Sequence, residues 1–271
     1  MNQKPAPNDT LRQVVVAVSA VAAIIGSFIG SGAAGGTQIQ NASNGALSAD
    51  STLIAPGGPA FTIWSIIYLG LVAYAVWQFL PQQKTEQRHR LLGYPVAASL
   101  LLNAAWILSV QFDLLPLSVP IIVILLAVLA YIFVLILRHR PTNTVDSIVT
   151  DGTMGLYLGW VCVATAANIS AVLVAAGFNG FGVNPNAWAV FVLAVAAAVG
   201  IALAVYGKGR LAPAASLAWG LAWVAFARFN GELLSTPAAI AAMVGAIVVA
   251  VFTVIIRLRV ATNSAPGTRV S

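Results

Sequence analysis

Charge is what this sequence has least of. Only 7% of its 271 residues are Asp, Glu, Lys or Arg, against roughly 25% in an ordinary soluble domain, and that excludes a water-soluble globule. Cysteine is nearly absent too: Cys162 is the only one, so no intrachain disulfide can form. The two histidines, His89 and His139, lie among arginines with no second histidine, cysteine or carboxylate at ligand spacing, so no metal set is expected and both read as loop residues. No nucleophile and base stand in a catalytic pattern, which argues against an enzyme. No stretch alternates with a period of two, which argues against a transmembrane barrel.

What the sequence has in abundance is apolar length. Hydrophobic residues make up 60% of the chain, gathered in runs at about 12–32, 59–80, 92–112, 117–137, 152–177, 187–206, 211–229 and 237–257. Each is close to the roughly 20 residues that cross a bilayer as a helix, so the expected fold is all-α, a polytopic transmembrane bundle of eight spans. Pro59, Pro95, Pro120, Pro213 and Pro237 stand near the starts of runs, where a missing N–H costs little. The net charge of +6 would suggest nucleic acid in a soluble chain, but here the basic residues sit in the short loops between runs. Lys4, Arg12, Lys84, Arg88, Arg90, Arg138, Arg140, Lys208, Arg210, Arg257, Arg259 and Arg269 fall on one side, and Arg228 alone on the other. The positive-inside rule then places both termini in the cytoplasm, in agreement with an even number of spans.

The first run is longer than a signal-peptide core and ends in Gly26-Ser-Phe-Ile-Gly30, a helix-packing spacing. Gly30-Ser-Gly32-Ala-Ala-Gly35 fits a dinucleotide fingerprint, but a membrane helix stands before it where that motif needs a strand. The segment 33–58 is the longest connection, expected outside and over the bundle. Asp113, Asp146, Asp151, Arg228 and Glu232 fall near helix ends, away from the mid-membrane positions that coupled transport uses. Arg228 stands four residues before Glu232, spaced for an exposed pair; the sharper reading makes it a contact for an acidic group of a ligand.

At about 100° per residue, Tyr157, Trp160, Ala164 and Asn168 share a narrow arc of the fifth helix, while Gly155 and Gly159 lie on its far side. One face is aromatic and polar; the other is cut small for close packing. Ser99, Asn103 and Trp106 share a face of the third helix, and Phe61, Trp64 and Tyr68 a face of the second. Taken singly, Asn103 and Asn168 read as interhelical glue. Taken together, three faces carrying large aromatics suggest a common interior suited to a flat apolar ligand. Leu221-Ala-Trp223-Val…Ala227…Asn230 loosely echoes Leu158-Gly-Trp160-Val…Ala164…Asn168.

Trp64-Ser-Ile-Ile-Tyr68, Leu102-Asn103-Ala-Ala-Trp106 and Tyr157-Leu-Gly-Trp160-Val-Cys-Val-Ala164-Thr165-Ala-Ala-Asn168 resemble, in order and spacing, the TspO/MBR family of tryptophan-rich sensory proteins, bacterial relatives of the translocator protein. The resemblance covers about 12–177 and implies a five-helix bundle. That divides the chain into an N-terminal segment 1–11, the five-helix part 12–177, three additional helices over 178–257 and a tail 258–271. It also implies a sensory or translocator protein of the bacterial cytoplasmic membrane. Such a protein binds tetrapyrroles such as porphyrins, or sterol-like molecules, under the loop between the first two helices, with no required cofactor. The ligand-binding residues would be Trp64, Tyr68, Asn103, Trp106, Tyr157, Trp160, Ala164 and Asn168. The expected partners are membrane lipid, a small apolar ligand and a second copy in a homodimer, with no nucleic acid. A small secondary transporter or facilitator is the alternative.

Overall fold

The computed structural model describes residues 6–33 and 37–264. Gly35 of the dinucleotide-like motif, the basic residues Lys4 and Arg269, and the ends of both terminal segments lie outside the described residues. Among those described, the protein is all-α with no strand, and eight helices are long and apolar enough to cross a membrane. They are α1 (Pro7–Gly30), α2 (Ile63–Trp77), α3 (Gln87–Gln111), α4 (Leu115–Arg138), α5 (Thr153–Ala175), α6 (Pro185–Tyr206), α7 (Leu211–Asn230) and α8 (Thr236–Ser264). All eight expected spans are present.

Three helical stretches start well before their apolar runs, and the first is α1, at Pro7 against a run from about 12. α3 begins at Gln87, before the run at 92, so Pro95 lies inside the helix. α5 is led in by Thr144–Asp146 and a π-helical turn, Ser147–Gly152. Hydropathy stops at charges, but the helices go on because those charges are neutralised inside the bundle. Arg88 of α3 pairs with Asp146 at 2.5 Å and with Asp151, and Arg210, at the start of α7, reaches Asp151 at 2.5 Å. Arg90 bonds Asp9 of α1 at 2.6 Å, and Arg12 donates to the Lys84 carbonyl at 3.1 Å. His89 is therefore no loop residue: it lies in α3, only 1% exposed, with Nε2 3.1 Å from Gln83 Oε1 and 3.7 Å from Asp146. His139, by contrast, follows the end of α4, and its carbonyl accepts from Arg88 Nε at 3.1 Å.

Packing follows the small residues. α1 lies along α3, where a Cβ on Gly26 would stand 3.3 Å from Ala104 Cα and one on Gly30 2.7 Å from Ile107 Cγ2, so the Gly26/Gly30 spacing does bring two backbones together. α5 meets α7 in the same way. A Cβ on Gly155 would stand 2.8 Å from Ala212 Cβ, and one on Gly159 would collide with the Pro213 carbonyl and the Ser216 hydroxyl. The helices follow one another in contact as α1, α3, α4, α5, α7, α8, α6. α2 rests more lightly against α1 and α5. Two apolar cores result. One is built on α1 to α5; the other is built on α6, α7 and α8 with Val163 and Cys162 from the far side of α5.

Candidate functional site

The site starts from α2, which turns Phe61 (in the 3-10 turn ahead of it), Trp64 and Tyr68 toward α5 and α3. The Trp64 ring lies 5.3 Å from Tyr68, 5.7 Å from Tyr157 and 6.3 Å from Trp160, and the last two contacts are edge-on. Phe61 meets Trp160 at 5.7 Å, also edge-on. These are favourable arrangements for aromatic quadrupoles, worth about 0.5–1.5 kcal/mol each beyond burial. The three faces read from the sequence converge.

Two spaces adjoin this cluster. One is a cleft of about 430 Å³ bounded by Ser27, Gly30 and Ser31 of α1, Gln38 to Gln40 of the loop, Phe61, Trp64, Ser65 and Tyr68, and Trp106 with Ile107 of α3. The other is a smaller cavity of about 40 Å³, floored by Trp160, Ala164 and Asn168 of α5 and Asn103 of α3, walled by Phe61, Trp64 and Trp106, and roofed by Leu47, Ala55 and Pro56 of the loop. Phe61, Trp64 and Trp106 thus divide the two. Of the eight residues expected to hold a ligand, Trp64, Asn103, Trp106, Trp160, Ala164 and Asn168 line the cavity, and Tyr68 lines the cleft. Tyr157 lines neither; it is fully buried beneath them, its hydroxyl donating to the Ser99 carbonyl at 3.2 Å.

The two amides differ. Asn168 is fully engaged: its Oδ1 accepts from Trp106 Nε1 at 3.1 Å and its Nδ2 donates to Ser118 Oγ at 2.9 Å, tying α5 to α3 and α4. Asn103 donates from Nδ2 to the Tyr68 hydroxyl at 2.5 Å, and its Oδ1, like Trp160 Nε1, is buried without a partner among the described residues. In an apolar interior such groups cost on the order of 1–3 kcal/mol each. A ligand that supplied both a donor and an acceptor would recover that. Among the described residues, no charged side chain lines either space.

The loop residues were not legible as site residues in the sequence, since no periodicity marks them. Residues 54–57 are all buried. Ser43 and Asn44 adopt left-handed backbone, and Ser43 Oγ donates to the Val110 carbonyl at the end of α3 at 2.9 Å. The family-model match runs from α1 through α8, over residues 15–255, and its description is TSPO-like protein. The chain belongs to the TSPO-like protein family. No curated protein and no solved structure matches it. Because the match extends past 177, it takes in the three additional helices of this TSPO-like chain as well as the first five, among which α2, α3 and α5 carry the aromatic faces.

Arg228 is a correction. It is not an exposed partner of Glu232: it is 1% exposed, its guanidinium donating to the Ala49 carbonyl and lying 3.8 Å from Asp50. It lines neither space, so the sharper reading, a contact for a ligand's acidic group, also fails. The echo at 221–230 likewise builds no second aromatic pocket. Trp223 is turned to the loop, its carbonyl accepting from Gly57 N at 3.2 Å, and Asn230 is exposed.

Proposed function

We propose that this multi-pass membrane protein is a binding protein of the sensory or translocator type for flat, largely apolar, uncharged molecules, with tetrapyrroles and sterol-like lipids as the classes to try first. The observation that carries the reading is the aromatic partition between a cleft and a smaller cavity lined by Asn103 and Trp160, each of which has a buried polar atom without a partner among the described residues. The cleft, at about 430 Å³, falls within the roughly 300–1,000 Å³ of small-molecule sites. At about 40 Å³ the cavity takes no more than a small polar end of the ligand. The apolar body would lie in the cleft against Trp64 and Tyr68, and the polar end would meet Asn103 Oδ1 and Trp160 Nε1. With no charge in either wall, a free carboxylate would be left uncompensated, so a porphyrin dimethyl ester should bind more tightly than the diacid. Coupled transport has less in its favour, because the buried ions lie toward the helix ends, Arg88 and Arg210 with Asp146 and Asp151 at one end of the bundle and Arg228 beside Asp50 at the other.

The test is a titration of protoporphyrin, its dimethyl ester and a sterol, followed by tryptophan quenching beside thermal melting. Wild type is compared with Trp64→Ala, Trp160→Phe, Asn103→Ala and Trp77→Ala. One lost ring contact of ~1.4 kcal/mol is tenfold in affinity. Trp64→Ala should therefore weaken binding about tenfold, and Trp77→Ala, which lines neither space, should not. Micromolar probe left unbound by wild type, or bound equally by all variants, would sink the reading.

A further inference from the structure

The roof of the cavity is held from α7, a helix that lines neither space. Trp219 Nε1 donates to the Ala60 carbonyl at 3.0 Å. The Trp223 carbonyl accepts from Gly57 N at 3.2 Å, and the Trp223 ring lies so near that a Cβ on Gly57 would stand 3.3 Å from its Cε3. At the end of α7, Arg228 donates to the Ala49 carbonyl and faces Asp50 at 3.8 Å. Asp50 Oδ1 in turn accepts from Leu233 N at 3.4 Å, just beyond α7. Both ends of the segment 49–60 are thus fastened to α7, and Ala55 and Pro56, which line the cavity on its loop side, lie between the fastenings.

The burial of Arg228 has to be offset by this loop. Its Nε and Nη1 lack partners among the described residues, and a buried guanidinium without compensation is strongly unfavourable. The Ala49 carbonyl and the Asp50 carboxylate supply most of the compensation, helped by the carbonyl end of α7 itself. Lifting the loop would strand the charge, so the arginine favours the closed position of the roof.

We infer that α7 controls access to the ligand site, with Trp219, Trp223 and Arg228 as positioning residues that hold the segment 49–60 over a cavity they do not touch. This rests on the binding role proposed above. It gives the three additional helices a part in binding, since they set how readily the roof opens and so how fast a ligand enters and leaves.

The experiment places a reporter in the roof. Ala55 is 4% exposed, so Ala55→Cys on a Cys162→Ser background should react slowly with a soluble maleimide in detergent. Trp219→Phe, which keeps an aromatic ring and removes the bond, and Arg228→Gln should each speed that reaction at least tenfold, well below the melting temperature. Trp188→Phe is the comparator. It removes a bond of the same kind, from Trp188 Nε1 to the Gly180 carbonyl at 2.9 Å, in the same three-helix part but on another connection, and should leave the rate unchanged. The dissociation rate of bound protoporphyrin dimethyl ester should rise in the two α7 variants and not in the comparator. Unchanged labelling in Trp219→Phe would overturn the inference even if Arg228→Gln fails to fold. Equal acceleration by Trp188→Phe would also overturn it, since that is general loosening. If the parent protein binds no ester, the ligand reading fails by itself, and the labelling rates still decide whether α7 holds the roof.

Discussion

Replacing Asn168 with leucine separates glue from ligand contact. The side chain is 1% exposed and makes two interhelical hydrogen bonds, to Trp106 Nε1 and Ser118 Oγ. Between membrane helices such bonds average ~0.6 kcal/mol each. Ser118 keeps its bond to the Leu115 carbonyl at 2.6 Å, so its hydroxyl is not stranded. Trp106 Nε1 is stranded, at a cost of ~1–3 kcal/mol. Asn168→Leu should therefore lose about 2–4 kcal/mol in all. In a Trp106→Phe background the stranded donor is gone, and the same change should cost less by about 1–3 kcal/mol. The assay is unfolding by dodecyl sulfate in mixed micelles, followed by far-ultraviolet circular dichroism so that loss of a tryptophan does not distort the signal. A single variant within about 0.5 kcal/mol of wild type, or a cycle with no coupling, would refute the reasoning. Asn168 would then have to be credited to ligand binding, and ester affinity should fall instead.

Three further outcomes are expected. Gly159→Ala should destabilise by about 1–3 kcal/mol, since its methyl meets the backbone of α7, whereas Gly152→Ala, with nothing nearer than 3.8 Å, should be neutral or gain up to about 1 kcal/mol; melting in detergent compares the two. Arg88→Met leaves Asp146 buried without its cation and should cost about 3–5 kcal/mol, part of it recovered by adding Asp146→Asn; the same unfolding assay measures it. For orientation, a cysteine at the exposed Asn41, on the Cys162→Ser background, should react with an impermeant maleimide in intact cells, while one at Glu86 should not; the reverse pattern would place the basic loops outside.

The spans and the helix contacts were legible because both are written in local composition. Apolar length marked all eight helices, and the pairs Gly26/Gly30 and Gly155/Gly159 marked where two of them touch others. The converging aromatic faces were legible for the same reason, since Trp64, Asn103 and Trp160 each stand at helical spacing from their neighbours. What stayed hidden depends on distance along the chain. Arg88 and Asp146 are 58 positions apart, so nothing local says that the charges around His89 are matched and buried, and the apolar runs stop short of the true helix ends. Arg228 has a carboxylate four residues on, yet it bonds to the loop carbonyl of Ala49, 179 positions away. The roof residues Ala55 and Pro56 carry no chemical signal at all; only the packing of α7 puts them there.

From Asp151 to Val172, no residue of the helical rod built on α5 is exposed. Most membrane helices keep one side for lipid, where one apolar residue serves as well as another. Up to Val172, α5 has no such side. Restraint on its sequence therefore has two independent origins, ring contacts on one flank and backbone proximity to α7 on the other, and an unvarying position there would not by itself point to a ligand. Nor could the first five helices be lifted out as a working piece. A chain stopped after α5 would show lipid a furrow at Gly155 and Gly159, shaped for a helix no longer present, and larger residues would have to refill it.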